Sequence, residues 1–265
     1  FSGQGSQYPN MGQDLYLNHS VYRDTFNKIL KLFAPYFKKN LFEVWCNQDD
    51  NQDIDQTNYA QALIFANQMA LFQVWKEMGA APDYIAGHSL GEISAVCAAG
   101  GISLKDAVKL VALRGHFMQM APEGKMLVVF ATVDDIQNQV DLTFLGVSFA
   151  AYNAPMIQLL SGPSDSIDLI HKKFQKNNIK TKFLQTQKAF HSSLMKDVAV
   201  DFRHEIEEIT YSSLKYKIVS CTTLNIIQEK DLNAEFWYQH LLKPTKFKQA
   251  LCRLYSRDWT EHNSI

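Results

Sequence analysis

A serine between two glycines is the residue whose type and spacing point most clearly to chemistry. The sequence GHSLG at 87–91 places Ser89 between an apolar strand pattern and a helix pattern. This is the GxSxG arrangement of a nucleophile elbow, in which larger side chains two positions before or after the serine would collide with the strand and helix. The turn exposes the Ser89 hydroxyl beside the Leu90 backbone N–H and the positive end of the helix dipole, which stabilise an oxyanion. We therefore predict nucleophilic catalysis through a serine ester.

The Ser89 hydroxyl needs a general base, because a free hydroxyl is a poor nucleophile at neutral pH. The sequence contains eight histidines, and composition alone does not choose among them. His88 adjoins the serine, but its side chain should point to the opposite side of the turn. We therefore predict a structural role for His88.

Helix and strand patterns surround the serine. Apolar residues recur at helical spacing over 59–78, which predicts a long and largely buried helix that stops at Gly79. The next segments are predicted to be a strand over 82–87 and helices over 90–99 and 104–120. Residues 47–58 are rich in Asp, Asn and Gln, so we predict a flexible stretch there with nothing to bury.

The pattern changes after 124 and predicts a second unit. Its predicted elements are a strand over 126–133, a helix over 134–140, strands over 147–152 and 156–160 with a turn at 153–155, a helix over 164–176 capped by Ser164, and a strand over 179–184. The order βαββαβ is the split βαβ pattern of a ferredoxin-like unit. We predict an α/β protein with an α/β-hydrolase-like large domain (1–124 and 188–265, with helical segments at 194–209) and an inserted ferredoxin-like small domain at 125–187.

Composition limits the possible classes of function. The chain has 26 basic and 27 acidic residues, a net charge of -1, which gives no support for binding to nucleic acid or to an anionic membrane. The four cysteines are widely spaced, so we expect neither a disulfide framework nor a zinc site, and the cytoplasm fits best. No apolar run is long enough to predict a transmembrane helix. The abrupt start suggests that residues precede the chain in the gene product.

Four motifs, in order along the chain, carry a family resemblance. They are GQGSQ at 3–7, GHSLGE at 87–92, RG at 114–115 and AFHS at 189–192. Together they resemble the malonyl-CoA:ACP transacylase family and the acyltransferase domains of polyketide synthases. The resemblance extends from residue 1 to about residue 248, nearly the whole chain.

The resemblance implies roles for particular residues. Ser89 would be the nucleophile, and His191 the general base that later acts as an acid. The backbone N–H groups of Gln4 and Leu90 would form the oxyanion hole. Arg114 would bind the free carboxylate of a malonyl group, since a guanidinium pairs with a planar carboxylate through two hydrogen bonds.

The resemblance also implies roles for residues that lie in less specific motifs. Asn153 resembles an asparagine that lines the active-site cleft, although an asparagine before Ala-Pro is also typical of a turn. Gln61 falls where the family has a glutamine near the site. In the sequence KPTK at 243–246, the resemblance implies that the backbone carbonyl of Lys246 orients the histidine. The bulky AFHS sequence at 189–192 resembles malonyl-selective members of the family.

The resemblance implies transfer of a malonyl group from malonyl-CoA, through a serine ester, to the phosphopantetheine thiol of an acyl carrier protein in fatty acid or polyketide synthesis. No cofactor or metal is required, because the coenzyme A thioester is a substrate. The alternative is a hydrolase that removes acyl groups from carrier proteins, for which a carboxylate-binding Arg114 would have less use. A generic α/β-hydrolase is less favoured, since no acidic residue before His191 stands out as its orienting partner.

Overall fold

The computed structural model describes residues 1–46 and 52–255. The first part of the chain is mainly helical: α1 Gln13–Asn18, α2 Ser20–Phe33, α3 Leu41–Cys46, α4 Thr57–Glu77, β1 Tyr84–Ala86, α5 Leu90–Ala98 and α6 Leu104–Met120. The predicted helices and the strand before the serine are therefore present, with ends that differ by a few residues. No helix in the described ranges is both long and apolar enough to cross a membrane.

Helix α4 lies in the centre of this part of the molecule. It is apolar around most of its circumference, and its residues are buried against α2, α6 and α5. The helix ends at Glu77, and Gly79 follows with φ of 85°, a conformation that glycine adopts without steric cost. Because α4 and α6 pack side by side, polar residues on their facing sides are held close to each other.

The prediction of a flexible stretch at 47–58 is wrong in expecting nothing to be buried there, and residues 47–51 lie outside the described residues. Gln52–Asp55 forms a 3-10 helix, and α4 already begins at Thr57. Two contacts join this segment to the rest of the molecule: Ile54 is buried in the core, and Asp53 pairs with Lys39. Ile54 is the single apolar residue in this polar stretch, and the composition therefore gave no sign that it is buried.

The strand before the serine, β1, pairs in parallel with β6 (Lys217–Val219). The N-terminal residue extends this arrangement: the Phe1 nitrogen donates to the Ala86 carbonyl at 2.8 Å, and the His88 N–H donates to the Phe1 carbonyl at 2.9 Å. These hydrogen bonds place the GQGSQ motif next to the turn that carries Ser89.

The second unit has the predicted βαββαβ order. Its elements are β2 Lys125–Val129, α7 Val133–Gln137, β3 Ser148–Ala154, β4 Ile157–Gly162, α8 Ser164–Lys176 and β5 Thr181–Phe183. The four strands form one antiparallel sheet in the order β3-β4-β2-β5. Apolar residues of the sheet, α7 and α8 form a hydrophobic cluster separate from the main core. The division into two domains with these boundaries stays a prediction.

Three local predictions in this unit are wrong. The predicted turn at 153–155 is too long, because Ala154 still pairs with Ile157 and only two residues connect the strands. The predicted strand over 126–133 ends at Val129, since Thr132 caps α7 through a capping box with Asp135. Ser164 is the first residue of α8 and not its cap, a position taken by Pro163.

The chain then returns to the first part of the molecule. A 3-10 helix at Ser193–Met195 leads into α9 (Lys196–Glu205), followed by β6, α10 (Ala234–Leu242) and α11 (Phe247–Tyr255). Further 3-10 helices lie at Ala34–Tyr36 and Glu229–Asp231. Helix α9 packs against α6 and α10, and the 3-10 helix before α9 also contacts α10.

Candidate active site

The turn between β1 and α5 holds Ser89 in a strained conformation, with φ 51° and ψ -116°. Neighbouring atoms leave no room for side chains at the flanking glycines. A Cβ atom at Gly87 would lie 2.1 Å from the Gly91 carbonyl carbon, and one at Gly91 would lie 2.3 Å from the Phe1 carbonyl oxygen. The glycine spacing in the sequence is thus explained by steric contact, as the nucleophile-elbow pattern predicts.

Ser89 and His191 are in direct contact, although 102 positions separate them in the chain. The Ser89 Oγ lies 2.9 Å from the His191 Nε2, and the His191 Nδ1 lies 2.8 Å from the Lys243 carbonyl oxygen. Since a carbonyl only accepts, the Nδ1 carries the proton and the Nε2 is free to accept the serine hydroxyl proton. The structure therefore arranges a hydroxyl, a base and an orienting carbonyl in line.

The carbonyl that orients His191 belongs to Lys243, so the prediction for Lys246 is wrong. Lys243 terminates α10 with extended backbone angles (φ -80°, ψ 150°), which turn its carbonyl out of the helix. The Lys246 carbonyl instead accepts from the Ala250 N–H at 3.0 Å, where the chain enters α11. The sequence motif identified the correct segment, 243–246. Where α10 ends determines which carbonyl in it can accept from His191.

Burial sets the charge state of the histidine. The pKa of His191 is lowered to about 3, first by desolvation and then by its electrostatic interactions with Arg114 and with His88, while nearby backbone carbonyls raise it in part. The ring is therefore neutral at physiological pH, which is the form that accepts a proton.

Arg114 on α6 is a buried cation beside the nucleophile. Its Nη2 donates to the Ser89 Oγ at 3.0 Å, and its Nη1 donates to the Gln61 Oε1 at 2.7 Å. Only 1% of the residue is exposed, and within residues 1–46 and 52–255 no carboxylate pairs with it. Burial lowers the pKa of Arg114 to about 9, so it remains charged at neutral pH. A buried charge without a partner is costly, and the site is thus complementary to an anionic group that enters it.

Gln61 connects this cation to the N-terminal motif. It is fully buried on α4, and its Nε2 donates to the Gln4 Oε1 at 3.2 Å while its Oε1 accepts from Arg114. The structure thus brings Gln4, Gln61, Arg114 and Ser89 into one hydrogen-bonded group. Leu90 begins α5, and its N–H has no acceptor within the helix. That the N–H groups of Gln4 and Leu90 bind an oxyanion stays a prediction.

Asn153 meets the turn from β3, but through His88 and not through Ser89. The His88 Nε2 lies 2.8 Å from the Asn153 Oδ1, and the His88 ring packs against Phe247. Burial lowers the pKa of His88, so the neutral ring donates to the amide oxygen. His88 points away from the nucleophile, as predicted, and Asn153 is a strand residue rather than a turn asparagine.

Two buried titratable residues next to the site were not recognised in the sequence. Glu92, in the first turn of α5, accepts from the Cys221 N–H at 3.0 Å, and its Oε2 lies 3.8 Å from the Nε2 of His240 on α10. Glu92 is the one charged residue within α5, and a charge in an otherwise apolar helix was the signal that could have identified it. Nothing in the local sequence marks His240.

Comparisons with known proteins identify relatives of the chain. The acyl transferase domain family matches residues 1–262. The PKS-NRPS hybrid synthetase ATPKS of Aspergillus niger is 34% identical over 95% of this chain, which spans only 14% of that protein. Among solved structures, the acyltransferase domain from the second module of the salinomycin polyketide synthase matches with 34% identity and a TM-score of 0.88, covering 97% of this chain and 60% of the other. The MCAT of Streptococcus pneumoniae matches with 27% identity and a TM-score of 0.85, covering 97% and 84%.

These similarities confirm the resemblance inferred from the four sequence motifs, and they confirm the α/β fold class. They also agree with the geometry, in which a serine contacts both a neutral histidine and a buried arginine. This chain belongs to the acyl transferase domain family and is an acyltransferase of the type found in polyketide and fatty acid synthesis.

Proposed function

We propose that the chain transfers a malonyl group from malonyl-CoA to the phosphopantetheine thiol of an acyl carrier protein, through an ester on Ser89. The observation that carries this proposal is the burial of Arg114 beside the Ser89 Oγ with no carboxylate partner in the described residues. An acyl group that ends in a carboxylate supplies the missing charge, whereas an acetyl group leaves the guanidinium unpaired.

In the first half-reaction, the His191 Nε2 takes the Ser89 hydroxyl proton while the Ser89 Oγ bonds to the thioester carbonyl carbon. The carbon–sulfur bond then breaks, and the His191 imidazolium returns the proton to the departing coenzyme A sulfur. The 2.9 Å separation of Oγ and Nε2 is within reach for this transfer. The carbonyl of Lys243 holds the ring in the tautomer that both proton movements require.

In the second half-reaction, the carrier thiol gives its proton to the His191 Nε2, and its sulfur attacks the ester carbonyl carbon. The bond between the Ser89 Oγ and that carbon breaks, and the Oγ recovers the proton from His191. The acceptor is supported by a relative: a structure titled as a type II PKS acyl-carrier protein in complex with its malonyl-transacylase matches with 25% identity and a TM-score of 0.86 over 97% of this chain.

Selectivity for malonyl is supported by two features of the site. The bound carboxylate would neutralise Arg114, one of the charges that lower the pKa of His191, so it would strengthen the base while the acyl group is bound. Phe190, next to the base, is a bulky side chain that is 7% exposed, and where it borders the acyl group it would leave less room for a branched one.

Intact-mass spectrometry tests the proposal directly. The protein is mixed separately with malonyl-, methylmalonyl- and acetyl-CoA, and we expect a malonyl adduct that Ser89→Ala abolishes. Arg114→Gln should reduce malonyl loading by on the order of 100-fold, the loss of one charge-assisted contact, and narrow the preference over acetyl. The matched control is Arg203→Gln, because Arg203 forms a half-exposed ion pair with Glu235.

Each outcome decides between functions. Transfer of the adduct to a holo carrier protein supports the proposal, and loss of the adduct to water in the presence of carrier protein supports a hydrolase. Unchanged selectivity in Arg114→Gln would contradict the role assigned to the arginine.

A further inference from the structure

Glu92 is a fully buried acidic residue that the proposed reaction does not use. It lies in the first turn of α5, three residues after Ser89, with 0% of the residue exposed. Its Oε2 accepts from the backbone N–H of Cys221, just beyond β6, at 3.0 Å. Burial of a carboxyl group lowers the stability of the fold unless the group is neutral or paired, so a buried Glu92 needs an explanation.

The carboxyl also accepts a hydrogen bond from the Ser220 hydroxyl. The titratable side chain that faces it from α10 is His240. It is 1% exposed on α10, and its Nε2 lies 3.8 Å from the Glu92 Oε2, within ion-pair distance though longer than a hydrogen bond. The His240 ring also lies next to the base, with its centroid 6.3 Å from that of His191. The contact therefore joins α5 and α10 directly behind the reacting groups.

Both ends of this contact determine the geometry of the reaction. Helix α5 begins at Leu90, immediately after Ser89, and α10 ends at Leu242, immediately before Lys243, whose carbonyl orients His191. Residues 89 and 92 are one helical turn apart, as are 240 and 243. A shift of α10 relative to α5 would thus change the distance between the Ser89 Oγ and the His191 Nε2.

We propose that Glu92 and His240 form a buried contact that positions α5 against the end of α10, and so holds Ser89 and His191 in register for the acyl transfer proposed above. Both are positioning residues, since neither touches the reacting atoms.

The charge states support this arrangement. Burial raises the pKa of Glu92 to about 7, and burial lowers the pKa of His240 well below its usual value. The groups that face His240 are Arg114, His191 and His88, and the thiol of Cys221 faces Glu92. Below a pH of about 7 the Glu92 carboxyl is thus protonated and both side chains are neutral. Above that pH a buried carboxylate lies beside a neutral ring.

The test measures the rate at which a fluorophosphonate labels Ser89, which reports activation of the nucleophile without an acyl donor, together with single-turnover malonylation. His240→Leu should slow both by about 10-fold to 100-fold, the effect of a small misplacement, with the KM for malonyl-CoA unchanged. Glu92→Gln, whose amide is always neutral, should keep the labelling rate at low pH and lose the decline that wild type shows above pH of about 7. The surface variants His204→Leu and Glu207→Gln are matched controls.

The outcomes separate this inference from the proposed function. Wild-type rates and a wild-type pH profile in both variants would overturn the positioning role, and if His240→Leu does not fold, the pH profile of Glu92→Gln decides alone. If wild type reacts with the fluorophosphonate but not with malonyl-CoA, the proposed function fails while the pair is still tested by the labelling rates.

Discussion

Ser89 and His191 both have positive φ angles, 51° and 56°, although neither is glycine. Such conformations cost on the order of 1–3 kcal/mol each and persist only where surrounding contacts enforce them. At Ser89 the enforcing contacts are the close approaches at Gly87 and Gly91, and at His191 the hydrogen bond to Lys243 contributes. Two strained residues are therefore the ones between which the proton moves. Their backbone conformations direct the two side chains toward each other.

The depressed pKa of His191 predicts an effect of pH on stability. The unfolded ring binds a proton below pH 6.5, while the folded ring does so only below about 3. The contribution of His191 is therefore complete above pH 6.5 and is lost as the pH falls toward about 3, by up to about 1.4 kcal/mol per pH unit. Glu92 acts with the opposite sign: its raised pKa favours the folded state below pH 4.5, and this contribution is lost as the pH rises to about 7.

Urea unfolding across this pH range isolates the histidine contribution by comparison with His191→Gln. We expect the variant to lose less stability than wild type on acidification, because glutamine does not titrate. His204→Gln, on the surface, should retain the wild-type dependence. Parallel curves for wild type and His191→Gln would show that the ring is not held neutral by burial.

At the scale of elements, the sequence predicted those features that depend on residues close together in the chain. Apolar strand segments separated by helix and turn signals were sufficient for the βαββαβ order, and helical periodicity was sufficient for α4. The pairing of β1 with β6 joins residues more than 130 positions apart, and no local signal marks it. The choice of Lys243 over Lys246 likewise depends on where α10 ends, which a motif aligned by its proline does not specify.

The contact between α4 and α6 offers a prediction about Arg114. Gln61 faces Arg114 across these helices at 2.7 Å, so Gln61→Glu would place a carboxylate on the guanidinium inside the protein. That carboxylate should compete with the substrate carboxylate and lower kcat/KM for malonyl-CoA by at least about 10-fold, while the melting temperature stays the same or rises. Stopped-flow malonylation and thermal melts measure the two effects. Unchanged kcat/KM would mean that the substrate carboxylate does not use Arg114.

At the scale of the whole molecule, the apolar residues of β2–β5, α7 and α8 divide between a cluster of their own and the main core, which includes Met126, Ala150, Ala151 and Leu159. A third, small cluster lies around β6. Asn153 spans the two parts through its hydrogen bond to His88, and the Tyr152 N–H donates to the Thr245 carbonyl at 2.9 Å. The two parts thus share apolar as well as polar contacts, but the cluster within β2–β5, α7 and α8 packs by itself, so a cavity in it should loosen mainly its own unit.

Matched cavity mutations test this division. Leu160 and Leu110 are both 0% exposed, the first in the small cluster and the second in the main core, and truncation to Ala should cost about 2–5 kcal/mol at either position. If 125–187 is a separate domain, Leu160→Ala should speed amide hydrogen exchange in β2–β5, α7 and α8 and leave α4 and α6 protected, with Ser89 still reactive toward a fluorophosphonate. Leu110→Ala should instead speed exchange throughout α4, α5 and α6. Equal loss of protection across the chain in both variants would show one cooperative unit, and the predicted domain boundaries would then have no energetic meaning.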